Sequence, residues 1–390
     1  MSDPGPQLQG RKPVLLFLIN EAYFLLSHRT EILDAAIRSY DTFVVAPSDH
    51  VWAPSGFSTR EFEKKGARFL PIPMSRRGQN PVREVETFLA IFRIVRAVRP
   101  DVLHLLTIKA ILYGGIAARL LRLRAVVFSV TGLGQIFIAR GAFAGLRRAV
   151  VKQILRLVFS HPRARVILQN SEDLRYLVES GIVARESTIL IRGAGVDVSA
   201  FQAVPEPAGP VVICFASRLL WEKGVGTFVD AARLLGGCSE AVRFVVVGDT
   251  KESNPRSVPS AMLKSWVEAG MIEWWGVRTD MPAVLASCHI FCLPTAYGEG
   301  VPKVLLEAAA AGRPIVASDI AGCREIVMHG QNGLLVPPND PAVLAAALRR
   351  LIENGAERRR LGEAGREIAV REFDVTQVVA RTIALYDELL

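Results

Sequence analysis

With 390 residues, half of them hydrophobic and only 7% aromatic, the chain has material for two or three domains with sizeable cores. Its net charge of +9 points to an anionic partner and leaves nucleic acid, anionic lipid and nucleotide substrates open. No apolar run approaches the ~20 residues of a membrane-spanning helix. The best candidate, Val14 to Ile19, is far too short and has no small-residue cleavage site behind it, which argues against a signal peptide.

In chain order, residues 1–10 are rich in Pro, Gly and Gln and read as a disordered terminus. Val14 to Asn20 reads as a strand, Glu21 to Ser27 as a loop, Arg29 to Arg38 as a helix and Thr42 to Ala46 as the second strand. A short helix end at Phe62 to Gly66 precedes a strand at Arg68 to Ile72 and an amphipathic helix at Pro81 to Val98. Val102 to Leu106 is a strand, Ile111 to Leu121 a helix, and Ala125 to Val130, Val166 to Gln169 and Thr188 to Ile191 are further strands. Apolar strands alternating with helices are the signature of a parallel sheet covered on both faces. The pattern breaks between Asp197 and Gly209, where Pro205, Pro207, Gly209 and Pro210 mark a linker, placed at residues 201–210. It restarts with strands at Val211 to Ala216, Arg243 to Gly248, Ile272 to Trp275, Ile290 to Leu293, Pro314 to Ser318 and Leu334 to Val336, alternating with helices. Pro341 to Asn354, Ala356 to Phe373 and Thr376 to Leu390 close the chain as helices. The expected units are therefore residues 11–200, residues 211–375 and a final helix, 376–390. Two doubly wound halves leave a cleft between strand C-termini, where ligands bind.

Five cysteines, all after residue 210 and irregularly spaced, make no disulfide framework and read as reduced thiols of a cytoplasmic protein. Cys288, His289 and Cys292 have no second ligand cluster, and cysteines at alternating strand positions are ordinary core. Between Arg140 and Val166, seven cations interleave with apolar residues, as on a basic amphipathic helix. Such a surface suits anionic lipid; a packed helix with a solvated basic face gives the same pattern.

The densest motif begins at Tyr297. Glu299 falls in a turn-rich loop after the strand at Ile290 to Leu293. Pro302 suits the first turn of the following helix, and Glu307 lies about two turns along it, eight residues after Glu299. The helix start offers N–H groups to an anion. A loop carboxylate, a helical carboxylate and an amide cradle suit a phosphorylated ligand bearing hydroxyls; two solvated glutamates are the plain alternative. In Ser217-Arg-Leu-Leu-Trp-Glu-Lys-Gly224, at the end of the first strand after the linker, Arg218 and Lys223 are a fork and a point charge placed toward the cleft; two surface cations near a helix start are the plain alternative. Thr131-Gly-Leu-Gly134 follows a strand, but Phe137 stands where a dinucleotide fingerprint needs its third glycine, which argues against a nicotinamide enzyme.

The run Leu293-Pro-Thr-Ala-Tyr-Gly-Glu-Gly-Val-Pro-Lys-Val-Leu-Leu-Glu-Ala-Ala-Ala-Ala-Gly-Arg-Pro-Ile-Val-Ala-Ser-Asp319 resembles the Glu-x7-Glu region of the retaining glycosyltransferases of family 4. Gly322-Cys-Arg-Glu-Ile-Val327 and Asn332-Gly-Leu-Leu-Val-Pro337 continue the resemblance. Asn20-Glu-Ala-Tyr-Phe-Leu-Leu-Ser-His-Arg29 is similar to the branch of that family that builds capsule, O-antigen and related bacterial polysaccharides. So are His104 and Lys109, Leu168-Gln-Asn-Ser171, Gly193-Ala-Gly-Val-Asp197, and Asp249 with Asn254-Pro255. The resemblance covers most of residues 14–375.

It implies the α/β GT-B fold, two doubly wound Rossmann-like domains facing a central cleft, with the last helix crossing back to the first. It implies retaining transfer of a sugar, foremost from a UDP-sugar, to a polyprenyl-diphosphate-linked saccharide, with the enzyme peripheral at the inner face of the cell membrane. By the same resemblance Glu307 binds the ribose and Glu299 orients the donor sugar. Arg218, Lys223 and the backbone at Gly300, Val301 and Pro302 hold the diphosphate. Gly132 and Gly134 approach the donor from the first domain beside Thr131, where many relatives carry His. His28, Arg29, His104 and Lys109 fall on the acceptor side. No Asp-x-Asp occurs in the chain, so no metal and no further cofactor is expected, nor is nucleic acid as a partner. The competing readings are a GT-B epimerase or hydrolase of nucleotide sugars, and a non-catalytic nucleotide- or RNA-binding protein.

Overall fold

A computed structural model describes residues 11–48, 57–75, 80–133, 142–251, 254–298 and 300–390. The first half runs β1 (Val14–Ile19), α1 (Ala22–His28), α2 (Thr30–Ser39), β2 (Asp41–Ala46), α3 (Arg60–Lys65), β3 (Arg68–Pro71), α4 (Pro81–Val98) and β4 (Val102–Leu106). It continues with α5 (Ile108–Leu120), β5 (Ala125–Val130), α6 (Ala142–Phe159), β6 (Ala164–Leu168), α7 (Ser171–Glu179) and β7 (Thr188–Leu190). The second half comprises β8 (Val211–Ala216), α8 (Val225–Leu234), β9 (Val242–Val247), α9 (Ser260–Glu268), β10 (Glu273–Trp274), α10 (Met281–Ala286) and β11 (Ile290–Leu293). It ends with α11 (Lys303–Ala310), β12 (Ile315–Ser318), α12 (Ala321–Arg324), β13 (Gly333–Val336), α13 (Pro341–Glu353), α14 (Gly355–Glu372) and α15 (Val375–Leu389).

Among the described residues the strands form two sheets, β3-β2-β1-β4-β5-β6-β7 and β10-β9-β8-β11-β12-β13. Within these sheets each strand pairs parallel to its neighbours, as between Leu15 and Val102 or Phe291 and Ile315. The central strands β1, β5 and β11 are buried along their whole length, which is why they read as continuous apolar runs. Strand order reverses between β1 and β4 in one sheet and between β8 and β11 in the other. Those two switch points open crevices at the strand C-termini, the usual ligand position in such folds.

The segment after β7 is tied to the second sheet by two arginines, the part-buried Arg366 and the buried Arg313. Arg366 donates to the carbonyls of Val198, Phe201 and Ala310, and Arg313 donates to those of Val204, Leu285 and Ala286. His289 adds a contact to the Pro207 carbonyl through Nε2 while its Nδ1 accepts from the Val212 amide. Its two ring nitrogens are thereby used in backbone packing. Among the described residues no group of three His, Cys, Asp or Glu is placed to hold a metal.

The last helix, α15, packs on α2, and its Val378, Leu385, Tyr386 and Leu389 complete the apolar cluster on one face of the first sheet. The helix reaches that face after Val196 and Asp374 pair as an isolated parallel bridge. Tyr40 donates to Asp387, and Arg165 pairs with Glu388, along the same contact.

Two sequence expectations change. Glu21 to Ser27, expected as a loop, is mostly helical: Ala22 and Leu25 are buried three apart, and Phe24 stacks on His28 four residues on. Helix α7, which the periodicity reading passes over, starts at an Asn170 side chain that accepts from the Asp173 amide.

Candidate active site

The site lies where the C-terminal ends of β8 and β11 face the first domain. After β8 the chain makes a single 3₁₀ turn, Trp221–Lys223, closed by Gly224 at φ +85°. A Cβ at Gly224 would lie 2.0 Å from the Pro294 carbonyl oxygen, so only glycine lets this turn rest against the exit of β11. The loop after β11 is fastened to the same turn. Thr295, fully buried, donates from Oγ1 to the Glu222 carbonyl, and Ala296 donates its amide to that oxygen at 2.9 Å. Thr295 Oγ1 also accepts from the Tyr297 amide, which puts the Tyr297 ring under the Lys223 ammonium, 5.4 Å from Nζ to the centroid. Lys223 is thus buried yet stays next to a π-face.

Helix α11 supplies the next groups. Glu307 is largely buried; burial raises its carboxyl above the usual range, and Lys303, 3.8 Å away one turn earlier, pulls it back. Lys303 reaches across the cleft and donates to the Ser27 carbonyl at 2.7 Å. At Gly300 the two domains touch by backbone, its amide donating to the Thr131 carbonyl at 3.1 Å. A Cβ at 300 would meet Gln169 Oε1 at 2.2 Å and the Thr131 oxygen at 2.8 Å.

This corrects one expectation. The Gly300 amide serves domain contact in this closed form rather than lying open to a phosphate, and Pro302 has no N–H to offer. Val301 is buried with its side chain in the second core. Gly132, at φ +135°, follows Thr131 at this contact. Glu299 and Gly134 lie outside the described residues.

On the first domain, His28 ends α1 with Arg29 next to it. Burial and then the charges of Lys303, Arg29, Arg218 and Lys223 push the His28 pKa down to about 3, so its imidazole is neutral. Four cations from both domains therefore converge on one place, with Glu307 paired to one of them. Arg29 is buried, donates to the Gly193 carbonyl at 3.2 Å, and keeps its charge although burial lowers its pKa to about 10.

The other two acceptor-side expectations fail. His104 sits mid-strand in β4, not at a strand end, and both ring nitrogens are engaged, with the Tyr386 hydroxyl and with Ser129 Oγ. It is a buried cross-brace under α15. Lys109 donates to the Ser75 carbonyl at 2.6 Å and to Glu84 at 2.8 Å, bracing α4 against α5. The sequence assigned no role to Lys303 or Gln169. One signal was present for Lys303, a cation at the first position of a helix, where the dipole opposes it.

Paired parallel sheets with a cleft between their strand ends define the GT-B class of glycosyltransferase architecture. The profile described as "Glycosyl transferases group 1" matches residues 210–354, and "Glycosyl transferase 4-like" matches residues 15–171. The chain belongs to the family 4 glycosyltransferases. It is 26% identical over 368 residues to the N,N'-diacetylbacillosaminyl-diphospho-undecaprenol alpha-1,3-N-acetylgalactosaminyltransferase of Campylobacter jejuni, covering 90% of this chain and 92% of that one. In fold it is similar to Anabaena HepE, solved with UDP, at a TM-score of 0.75 and 21% identity over 96% of this chain and 100% of that one. Sucrose-phosphate synthase from Thermosynechococcus elongatus gives a TM-score of 0.77 at 17% identity over 96% and 99% of the two chains.

Proposed function

We propose that this glycosyltransferase moves a sugar, with retention, from a nucleoside diphosphate donor, foremost a UDP-sugar, to a lipid-diphosphate-linked saccharide. The observation that carries the reading is the convergence of Arg218, Lys223, Lys303 and Arg29 around His28, with Lys303 paired in turn to Glu307. A departing nucleoside diphosphate develops negative charge, and fixed cations in a partly dry cleft stabilise that charge without reorganising. Glu307 takes the ribose hydroxyls as an acceptor-only carboxylate. Arg218 offers a planar fork and Lys223 a point charge to the diphosphate. Glu299 orients the donor sugar, and Gly132 with Gly134 lets the first domain approach the donor beside Thr131. His28 and Arg29 face the acceptor.

In the transfer step the bond from C1 to the phosphate oxygen breaks and a bond from C1 to the acceptor oxygen forms on the same face. The acceptor proton passes to the departing phosphate oxygen. Arg218 and Lys223 supply the countercharge, so the reaction proceeds without a divalent metal. The lipid-linked acceptor follows from the likeness to the Campylobacter enzyme over nearly its whole length. Among the described residues no helix is long and apolar enough to cross a membrane. Contact with an anionic inner leaflet falls to α6, which buries Val151, Leu155 and Val158 and leaves Arg147, Val150 and Leu157 exposed.

Thermal unfolding with UDP, GDP, ADP and CMP, without added metal, tests the donor site. A ligand at about 100 times its Kd adds about 2.7 kcal/mol to the folded state. One nucleotide is expected to raise Tm in the native protein and to lose that effect in Lys223→Ala. Turnover in Lys223→Ala should fall roughly a hundredfold or more. A native protein indifferent to all four nucleotides, or a variant with near-normal turnover, refutes the assignment.

A further inference from the structure

Lys303 is locally misplaced. It opens α11, an eight-residue helix whose exposed N–H groups repel a cation. Its surroundings explain the position. Its ammonium lies 2.7 Å from the Ser27 carbonyl, in the last turn of α1 on the opposite domain, and 3.8 Å from Glu307 on its own helix. The Ser27 oxygen is one of the terminal carbonyls that a helix leaves without an internal partner, at the end where the dipole favours a cation. The energy lost at the start of one helix is thus offset at the end of another, and only while the two domains are together.

Ser27 carries the contact onward. Its hydroxyl lies 2.8 Å from the Tyr23 carbonyl and 2.7 Å from His28 Nδ1. A hydroxyl has one proton, and a carbonyl has none to give, so the proton goes to Tyr23. Oγ must then accept from His28, which places the ring proton on Nδ1 and a lone pair on Nε2. Among the described residues Nε2 has no hydrogen-bond partner. Phe24, stacked on the ring with centroids 4.4 Å apart, fixes its plane.

We propose that Lys303 is a positioning residue that links the ribose-binding carboxylate Glu307 to the acceptor-side imidazole of His28 across the closed cleft. The proposal rests on the donor assignment made above. Lys303 holds Glu307 ready for the ribose and pins the end of α1, so that His28 presents a fixed lone pair to an acceptor hydroxyl. That hydroxyl is a neighbour of the attacking one, whose proton goes to the leaving phosphate. The groups facing His28 are Arg29 beside it, Lys303 on α11, and Arg218 and Lys223 after β8; all are cationic, and burial holds the ring neutral. His28 therefore orients its partner and takes no proton.

The test is UDP titration of the full chain by calorimetry, together with the imidazole nitrogen resonances of His28, assigned by loss in His28→Gln. In the native protein UDP binds, His28 shows the Nδ1–H tautomer, and its resonances shift on UDP addition. Lys303→Met is expected to bind UDP about tenfold more weakly, the scale of one charge-assisted contact, and to lose the UDP-linked shift. Lys303→Arg should restore both. Ser27→Ala, which keeps the carbonyl contact, should retain UDP affinity and lose the tautomer preference. This variant keeps the proposal exposed if Lys303→Met does not fold. Unchanged affinity and an intact His28 shift in Lys303→Met overturn the link alone, because native UDP binding would still support the donor site. A native protein that binds no nucleotide overturns the donor site and the link with it.

Discussion

Both ring nitrogens of His104 are occupied inside the first domain, and burial, with the nearby Arg29 charge, holds its pKa at about 3. His28 is held equally low. An unfolded chain returns each to about 6.5, so above pH 6.5 neither group affects the folding equilibrium. Below it the unfolded state binds protons that the folded state refuses. Stability then falls as pH drops from 6.5 toward 3, by up to about 1.4 kcal/mol per pH unit for each group. Urea unfolding at pH 7, 6, 5 and 4 should show that slope, and His28→Gln should reduce it. A flat profile between pH 6.5 and 5 would mean that the two rings are charged in the fold. Gly300 makes a second prediction at this scale. The Gln169 side chain can swing away from an added methyl, but the Thr131 carbonyl belongs to the backbone and cannot. Gly300→Ala should therefore keep Tm within a few degrees while holding the cleft open. Transfer should drop about tenfold or more, since a misplacement of about 1 Å near the chemistry costs that much. Small-angle scattering would register the opening as a larger radius; an unchanged radius with normal transfer would refute it.

The helix α15 shows what an element contributes when it belongs to one half by sequence and to the other by packing. Tyr386 is fully buried and meets His104 through its hydroxyl. Tyr386→Phe keeps the ring and strands a buried imidazole nitrogen, so a loss of about 1–3 kcal/mol in unfolding free energy is expected, read from the denaturant midpoint. Sequence patterning made α15 legible as a helix through its apolar stripe, and the parallel sheets through their continuous apolar strands. Helix α1 was not legible as one, because its seven residues are too short to show a period and its Asn-Glu start looks like a loop. Within the site, Arg218, Lys223 and Glu307 stood out because motif spacing marks residues on one strand end or one helix. His104 misled for the same reason, since a motif says nothing of which side of a strand is covered by a helix from the far end of the chain. Lys303 and Gln169 act between domains, and no local pattern encodes a contact made only when two separately folded units meet.

At the scale of the molecule, the closed cleft is fastened beyond the site. Glu325 accepts from the Ser171 amide and hydroxyl, both at 2.7 Å, so a carboxylate of the second domain caps helix α7 of the first. Arg324 adds a pair with Glu172 next to it. These contacts set the two domains as one surface toward any membrane, and the net charge of +9 favours an anionic one. The face formed by α6 combines exposed Arg147 with exposed Val150, and Lys152 packs over the Tyr176 ring. Basic groups at an anionic surface contribute about 1 kcal/mol each and are screened within about 10 Å at 0.1 M salt. Flotation with vesicles of neutral lipid should leave the protein behind, whereas vesicles with an anionic component should carry it up. Raising the salt should release it progressively. Arg147→Glu with Val150→Glu replaces one exposed cation and one exposed apolar side chain, so folding should be unaffected while flotation is lost. Equal flotation of the double variant would place the contact on another face, and equal flotation on neutral vesicles would make apolar insertion rather than charge its cause.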